Sequence, residues 1–119
     1  MKAMLKYLLF LPALLLSGHL SAAEPKIVSL APALTELVCQ LGKEKNLVGR
    51  SSACNYPESV RKLPVAGDFA KPYLETILSL RPTHVFANDL INPNVARTLK
   101  SAGVKVLLKQ CRTPEEYME

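Results

Sequence analysis

The sequence predicts an α/β domain, a Rossmann-like, mostly parallel four-stranded sheet flanked by helices. Short apolar runs, the first of them rich in β-branched residues, alternate with stretches of helical period between Lys26 and Leu108. The helical stretches carry start and stop residues: proline near their beginnings, and Gly42, Arg81-Pro82 and Gly103 at their ends. Strands joined by helix-length connections pair in parallel, and right-handed crossovers lay the helices on the sheet.

Taken in order, Lys26–Leu30 (KIVSL) reads as the first strand. Leu34, Leu37, Val38 and Leu41 follow at i, i+3, i+4 and i+7, the spacing of a helix with one buried face. Pro32 suits the start of that helix and Gly42 its end. Leu47–Arg50 reads as a second strand. Residues 51–72 contain Pro57, Pro64, Gly67 and Pro72, with a weak helical turn near Glu58–Arg61; a connection this long is usually functional or disordered. Its apolar and aromatic residues (Tyr56, Val65, Phe69) argue for order.

Tyr73–Leu80 returns to helical period, with Leu74, Ile77 and Leu78 on one face. His84–Ala87 is the third strand. Asn92-Pro93 forms an N-cap and first-turn proline, Val95, Ala96, Leu99 and Ala102 face the core, and Val104–Leu108 is the fourth strand. Thr113-Pro114-Glu115-Glu116 is a capping box, so a helix is expected to begin there. The sequence ends about one turn later, and one turn does not stand alone because nucleation is costly. The expectation is a truncated chain.

Residues 1–23 read as a signal peptide. Lys2 and Lys6 precede the ten-residue apolar run Tyr7–Leu16, which is too short to span a bilayer, and small residues follow at Ser21-Ala22-Ala23. A membrane anchor is the alternative; Pro12 and the shortness of the run oppose it. Cleavage after Ala23 leaves 119 − 23 = 96 residues, enough for one small domain. Removing the two lysines leaves 13 − 10 = +3 net charge, with scattered basic residues and no tryptophan, which excludes a nucleic-acid stripe.

The candidate chemistry is sparse. The turn Ser29–Ala33 has no glycine, which argues against dinucleotide binding. His84 is the only histidine left after cleavage and reads as a strand residue, and no metal site is expected. Cys54 could be a nucleophile or a structural thiol; pairing with Cys111 is one possibility, and free or buried thiols another. Phe69 is either a loop anchor or a flat contact for a ligand. Glu75 is expected on the solvent face of its helix, either as a carboxylate near the positive helix end or as an interaction residue.

The segments KIVSLAPALTELVCQLG, LVGRSSACNYP, LPVAGDF, LETILSLRPTHVFA and LKSAGVKVLL resemble, in order and spacing, the N-terminal lobe of helical-backbone periplasmic substrate-binding proteins. These serve ABC importers of vitamin B12, iron–siderophores and haem, and the resemblance is strongest to the B12 branch. It implies a periplasmic protein of two α/β lobes, with ligand held between them and residues 24–119 forming the first lobe. The linking helix and second lobe would then be missing here. It implies no catalysis and no resident cofactor, the ligand being a metal chelate such as cobalamin, and a monomer when intact.

By position, Phe69 falls where an aromatic meets the ligand, and Tyr56-Pro57 matches a Tyr-Pro pair on the rim. Ala53 and Asn88 stand where the B12 pattern has a tyrosine and a tryptophan, so a smaller or more polar chelate also fits. Glu75 matches the glutamate that docks onto the membrane permease. Two other readings stand beside this one: a one-walled remnant that binds nothing, and a small exported thiol enzyme using Cys54.

Overall fold

The computed structural model describes residues 23–110. The expected leader at 1–23 lies outside them but for Ala23, as do Cys111 and the capping box at Thr113–Glu116. Five strands and three helices follow in the order β1 (Ile27–Ser29), α1 (Pro32–Gln40), β2 (Leu47–Ser51), β3 (Val65–Gly67), α2 (Leu74–Leu80), β4 (His84–Asn88), α3 (Pro93–Ser101) and β5 (Lys105–Lys109). Short 3-10 turns at Glu44–Asn46 and Glu58–Lys62 precede β2 and β3. All strands are parallel, in the order β3-β2-β1-β4-β5.

The expected four-stranded sheet is therefore five-stranded. The additional strand is Val65–Gly67, inside the connection read as a long loop. Three residues between Pro64 and a turn carry no readable alternation, and Pro is tolerated at the start of an edge strand. Its pairing with β2, not its own composition, makes it a strand.

β1 is buried along its whole length and lies between β2 and β4. Its side chains alternate between two cores. Val28 and Leu30 join Ala66, Val85 and Ala87 under Ile77 of α2 and Ala96 and Leu99 of α3. Ile27 joins Leu47, Val38 of α1 and Val60 of the second 3-10 turn on the other face. The helix ends behave as their residues dictate. Pro32 and Pro93 open α1 and α3, and Asn92 Oδ1 accepts from the Asn94 amide at 2.9 Å. Gly42 and Gly103 follow α1 and α3 with φ of 74° and 86°, a region that favours glycine. Arg81, at the end of α2, takes the same left-handed region at φ 50°.

The expected apolar faces need correction. In α1, Val38 and Thr35 are buried, whereas Leu37 and Leu41 are exposed and Leu34 is half-buried. These three leucines border an open groove with Ile27, Phe86 and Leu107. In α2, Ile77 is fully buried and Leu74 and Leu80 pack beside it, while Leu78 turns outward. Ala102, expected in the core, is exposed after the end of α3. The spacing rule finds a helix's apolar stripe but not whether a partner lies against all of it.

Ile77→Ala should lower unfolding free energy by about 2–5 kcal/mol in urea titration, through lost burial and a residual cavity. Leu37→Ala, at a side chain 47% exposed, should change it by about 0.5 kcal/mol or less.

Candidate functional site

Parallel strands put all five carboxyl ends on one rim. The strand order reverses direction there: the chain moves from β1 outward to β2 and β3, then returns to β4 on the other side of β1. The crevice between the carboxyl ends of β1 and β4 is thus a topological switch point, where open α/β sheets bind ligands.

A shallow cavity of about 230 Å³ occupies that crevice. Ala31 before α1 and Pro32 and Ala33 at its start line it, with Asn88 from the end of β4 and Lys109 from the end of β5. Phe69 and Glu36 complete the wall. The lining is mainly apolar, with one acid and one base at its edge. Its volume lies below the roughly 300–1,000 Å³ of pockets that enclose a ligand, so it can supply one wall of a binding site.

Phe69, 38% exposed, lines the cavity from the short loop between β3 and α2. That loop is tightly tied. Gly67 packs so closely on the returning chain that a Cβ there would come within 2.8 Å of Lys71 O and 3.0 Å of Pro72 Cα. Asp68 N–H donates to Lys71 O at 2.9 Å. The Asp68 carboxylate accepts from Ser52 Oγ at 2.8 Å and from Tyr73 Oη at 3.0 Å, bridging the loops after β2 and β3 to the N-terminus of α2. That hydrogen bond, followed by burial and the charge of Asp68, raises the Tyr73 pKa above its ordinary value.

Asn88 is 2% exposed. Its Nδ2 donates to Phe69 O at 2.7 Å and its Oδ1 accepts from Leu90 N–H at 3.0 Å, so the amide serves the rim itself. Ala53 is half-buried and Tyr56 is 68% exposed; both belong to the loop after β2 and neither lines the cavity. Arg50 orders this loop by donating to Ser51 O, Cys54 O and Arg61 O. Glu75 is exposed in the first turn of α2, clear of the cavity.

The thiol-enzyme reading is overturned. Cys54 is 1% exposed and enclosed by hydroxyls: Thr35 Oγ1 donates to its Sγ at 3.2 Å, and Ser51 Oγ lies at 3.2 Å. Thr35 Oγ1 also reaches Ser29 Oγ at 2.7 Å, closing a buried polar cluster beneath the rim. His84 is elsewhere, its Nδ1 2.7 Å from Thr83 Oγ1 and its ring edge-on to Phe86 at 6.4 Å. A nucleophile needs an activating base and access to substrate, and Cys54 has neither. Cys39 and Cys54 are both free thiols.

Sequence reasoning missed the β1–α1 turn, Glu36 and Lys109. That segment has no glycine for a phosphate cradle, so its residue types alone point to no ligand. Its position at the carboxyl end of the first strand was the available signal.

A model of the periplasmic binding protein family matches residues 27–116. The chain belongs to that family. It is 33% identical over 116 residues to the vitamin B12-binding protein of Photorhabdus laumondii, an alignment covering 97% of this chain and 42% of the relative. It is 36% identical over 88 residues to an uncharacterized ABC transporter substrate-binding lipoprotein of Bacillus subtilis, covering 71% of this chain and 28% of the relative. Among solved structures, the fold is similar to a periplasmic heme-binding protein from Pseudomonas aeruginosa, with a TM-score of 0.68 and 31% identity over 72% of this chain and 31% of that one. The vitamin B12-binding protein of Vibrio cholerae superposes with a TM-score of 0.64 at 27% identity, over 75% of this chain and 34% of that one. The chain thus spans less than half the length of these relatives. The relatives are periplasmic or lipoprotein binding proteins, an extracytoplasmic class named for binding and not for catalysis.

Two measurements check the local chemistry. Iodoacetamide at pH 8 with peptide mapping should leave Cys54 unmodified until the protein unfolds. Cys39, whose pKa is raised by burial and then by Glu44 and Glu36, should react slowly and faster as pH rises. For Tyr73, the raised folded pKa favours the protonated phenol. Its hydrogen bond therefore contributes to stability below the ordinary phenol pKa of about 10 and is lost as pH rises through the folded value. Ultraviolet titration of the protein minus Tyr73→Phe should show one phenol ionising later than a free tyrosine.

Proposed function

We propose that residues 24–119 form the N-terminal lobe of a periplasmic substrate-binding component of an ABC importer, for cobalamin or a related metal chelate such as haem or an iron–siderophore. Residues 1–23 act as a cleavable signal peptide in this reading. The observation that carries it is the apolar cavity at the switch point of a sheet of this family, with an exposed aromatic, Phe69, on its wall. A flat macrocycle offers a large apolar face, and aromatic rings and small apolar residues cover such a face well. A cavity with one wall needs a second lobe to close over the ligand, and the relatives' additional length is where that lobe would be encoded.

Ligand binding and docking occupy separate places in this reading. Phe69 meets the ligand, with Asn88 beside it and with Tyr56 and Ala53 further out on the rim. Glu75, exposed on the first turn of α2, meets basic residues of the permease, and ATP is hydrolysed on another subunit. The protein itself makes and breaks no covalent bond, has no resident cofactor, and acts as a monomer.

Calorimetry on this lobe joined to the second lobe of a relative tests the ligand class. Binding of cobalamin, haemin or a ferric siderophore is expected, weakened by Phe69→Ala by about tenfold, the order of a lost aromatic contact. Absence of binding to all three would sink the proposal. Glu75→Arg should reduce transport in cells while leaving ligand affinity unchanged; weaker ligand binding would contradict its docking role.

A further inference from the structure

We propose that Asn88 is a positioning residue that holds the ligand-facing wall of the cavity by clasping the backbone of Phe69. The inference rests on the reading above, in which Phe69 meets the ligand. Asn88 closes β4, a strand paired on both sides by β1 and β5 and therefore a rigid platform. Its side chain is almost fully buried, yet it does not pack as an apolar residue would. One atom donates to Phe69 O at 2.7 Å, and another accepts from Leu90 N–H at 3.0 Å. The amide supplies a donor and an acceptor on two atoms of one short, uncharged side chain. Aspartate at neutral pH would keep the acceptor and lose the donor.

The need for a clasp follows from the surroundings of Phe69. Its ring is partly exposed, so packing alone does not immobilise it. The other ties of the loop fall on its neighbours: Asp68 is held by Ser52, Tyr73 and Lys71 O. Among the described residues the Asn88 amide is the hydrogen-bond partner of Phe69 O. Two loops, one after β3 and one after β4, are thus joined through a single side chain at the edge of the cavity. A wall fixed before binding loses less conformational freedom when the ligand arrives. Where an aromatic side chain would add a second apolar contact, this chain instead fixes the contact it has.

Hydrogen exchange of the 119-residue chain tests the clasp without any ligand. In Asn88→Ala the hydrogen-bonded amides of the loop, Asp68 and Lys71, should exchange about tenfold faster or more, the order of one lost buried hydrogen bond. Those of β1 and β5 should keep their protection. Asn88→Asp at neutral pH should release the Phe69 loop as Asn88→Ala does, because it lacks the donor. An increase spread evenly over the sheet, or none at the loop, overturns the proposal.

Cyanocobalamin and haemin then serve as probes by calorimetry. Asn88→Ala should weaken whichever probe the unaltered chain binds by about tenfold, in line with the same lost bond. Phe69→Ala should weaken it too, but leave exchange in the loop unchanged. Unaltered affinity in Asn88→Ala overturns the positioning role. If neither probe binds the unaltered chain or its two-lobed form while the exchange result holds, the ligand reading fails and the clasp stands.

Discussion

Parallel pairing of β1 with both β2 and β4 is the constraint on which the molecule depends. Ile27–Ser29 contributes only three residues, yet it is buried throughout and separates the two cores. Because its neighbours run in its own direction, every loop that leaves a strand end leaves by the same rim. The reversal of strand order beside β1 then opens a crevice on that rim. The cavity follows from chain direction and order first, and from side chains second.

The rim is shaped by polar groups that serve the protein and not a reaction. Ser29, Thr35, Ser51 and Cys54 satisfy one another beneath the loops, where unpaired hydroxyls would be costly. Arg50 gathers carbonyls of the loop after β2, and Asp68 ties that loop to the start of α2. Above this framework lies a mainly apolar surface carrying Phe69. Buried polar groups with internal partners and an exposed apolar wall suit recognition by shape and contact.

Much of the fold was legible because its signals are local. Pro32, Gly42, Asn92, Pro93 and Gly103 mark helix ends by their own backbone chemistry, and the apolar runs at β1 and β4 declare buried strands. What escaped is what depends on distant partners. Val65–Gly67 becomes a strand only beside β2, and Leu37 and Leu41 stay exposed although their spacing puts them on the apolar face. The site divides in the same way. Phe69 stands out in its own segment, whereas Ala31–Ala33 and Lys109 meet only after the sheet forms. The environment of Asn88 was not readable, because its partner Phe69 O lies in another loop 19 residues away.

The strand order also governs how the molecule can come together. No two neighbouring strands are joined by a tight hairpin, so no strand pair can form from adjacent residues alone. The centre of the sheet closes when Ile27 meets His84, across 84 − 27 = 57 residues of chain. Such distant pairings must lose loop entropy before they gain contacts, which slows folding relative to helical or hairpin-rich domains of similar size. Until β4 arrives, β1 has one open edge and its apolar residues lack half their cover. The crevice that forms the cavity depends on that distant pairing, because its lining comes from the start of α1 and from the ends of β4 and β5.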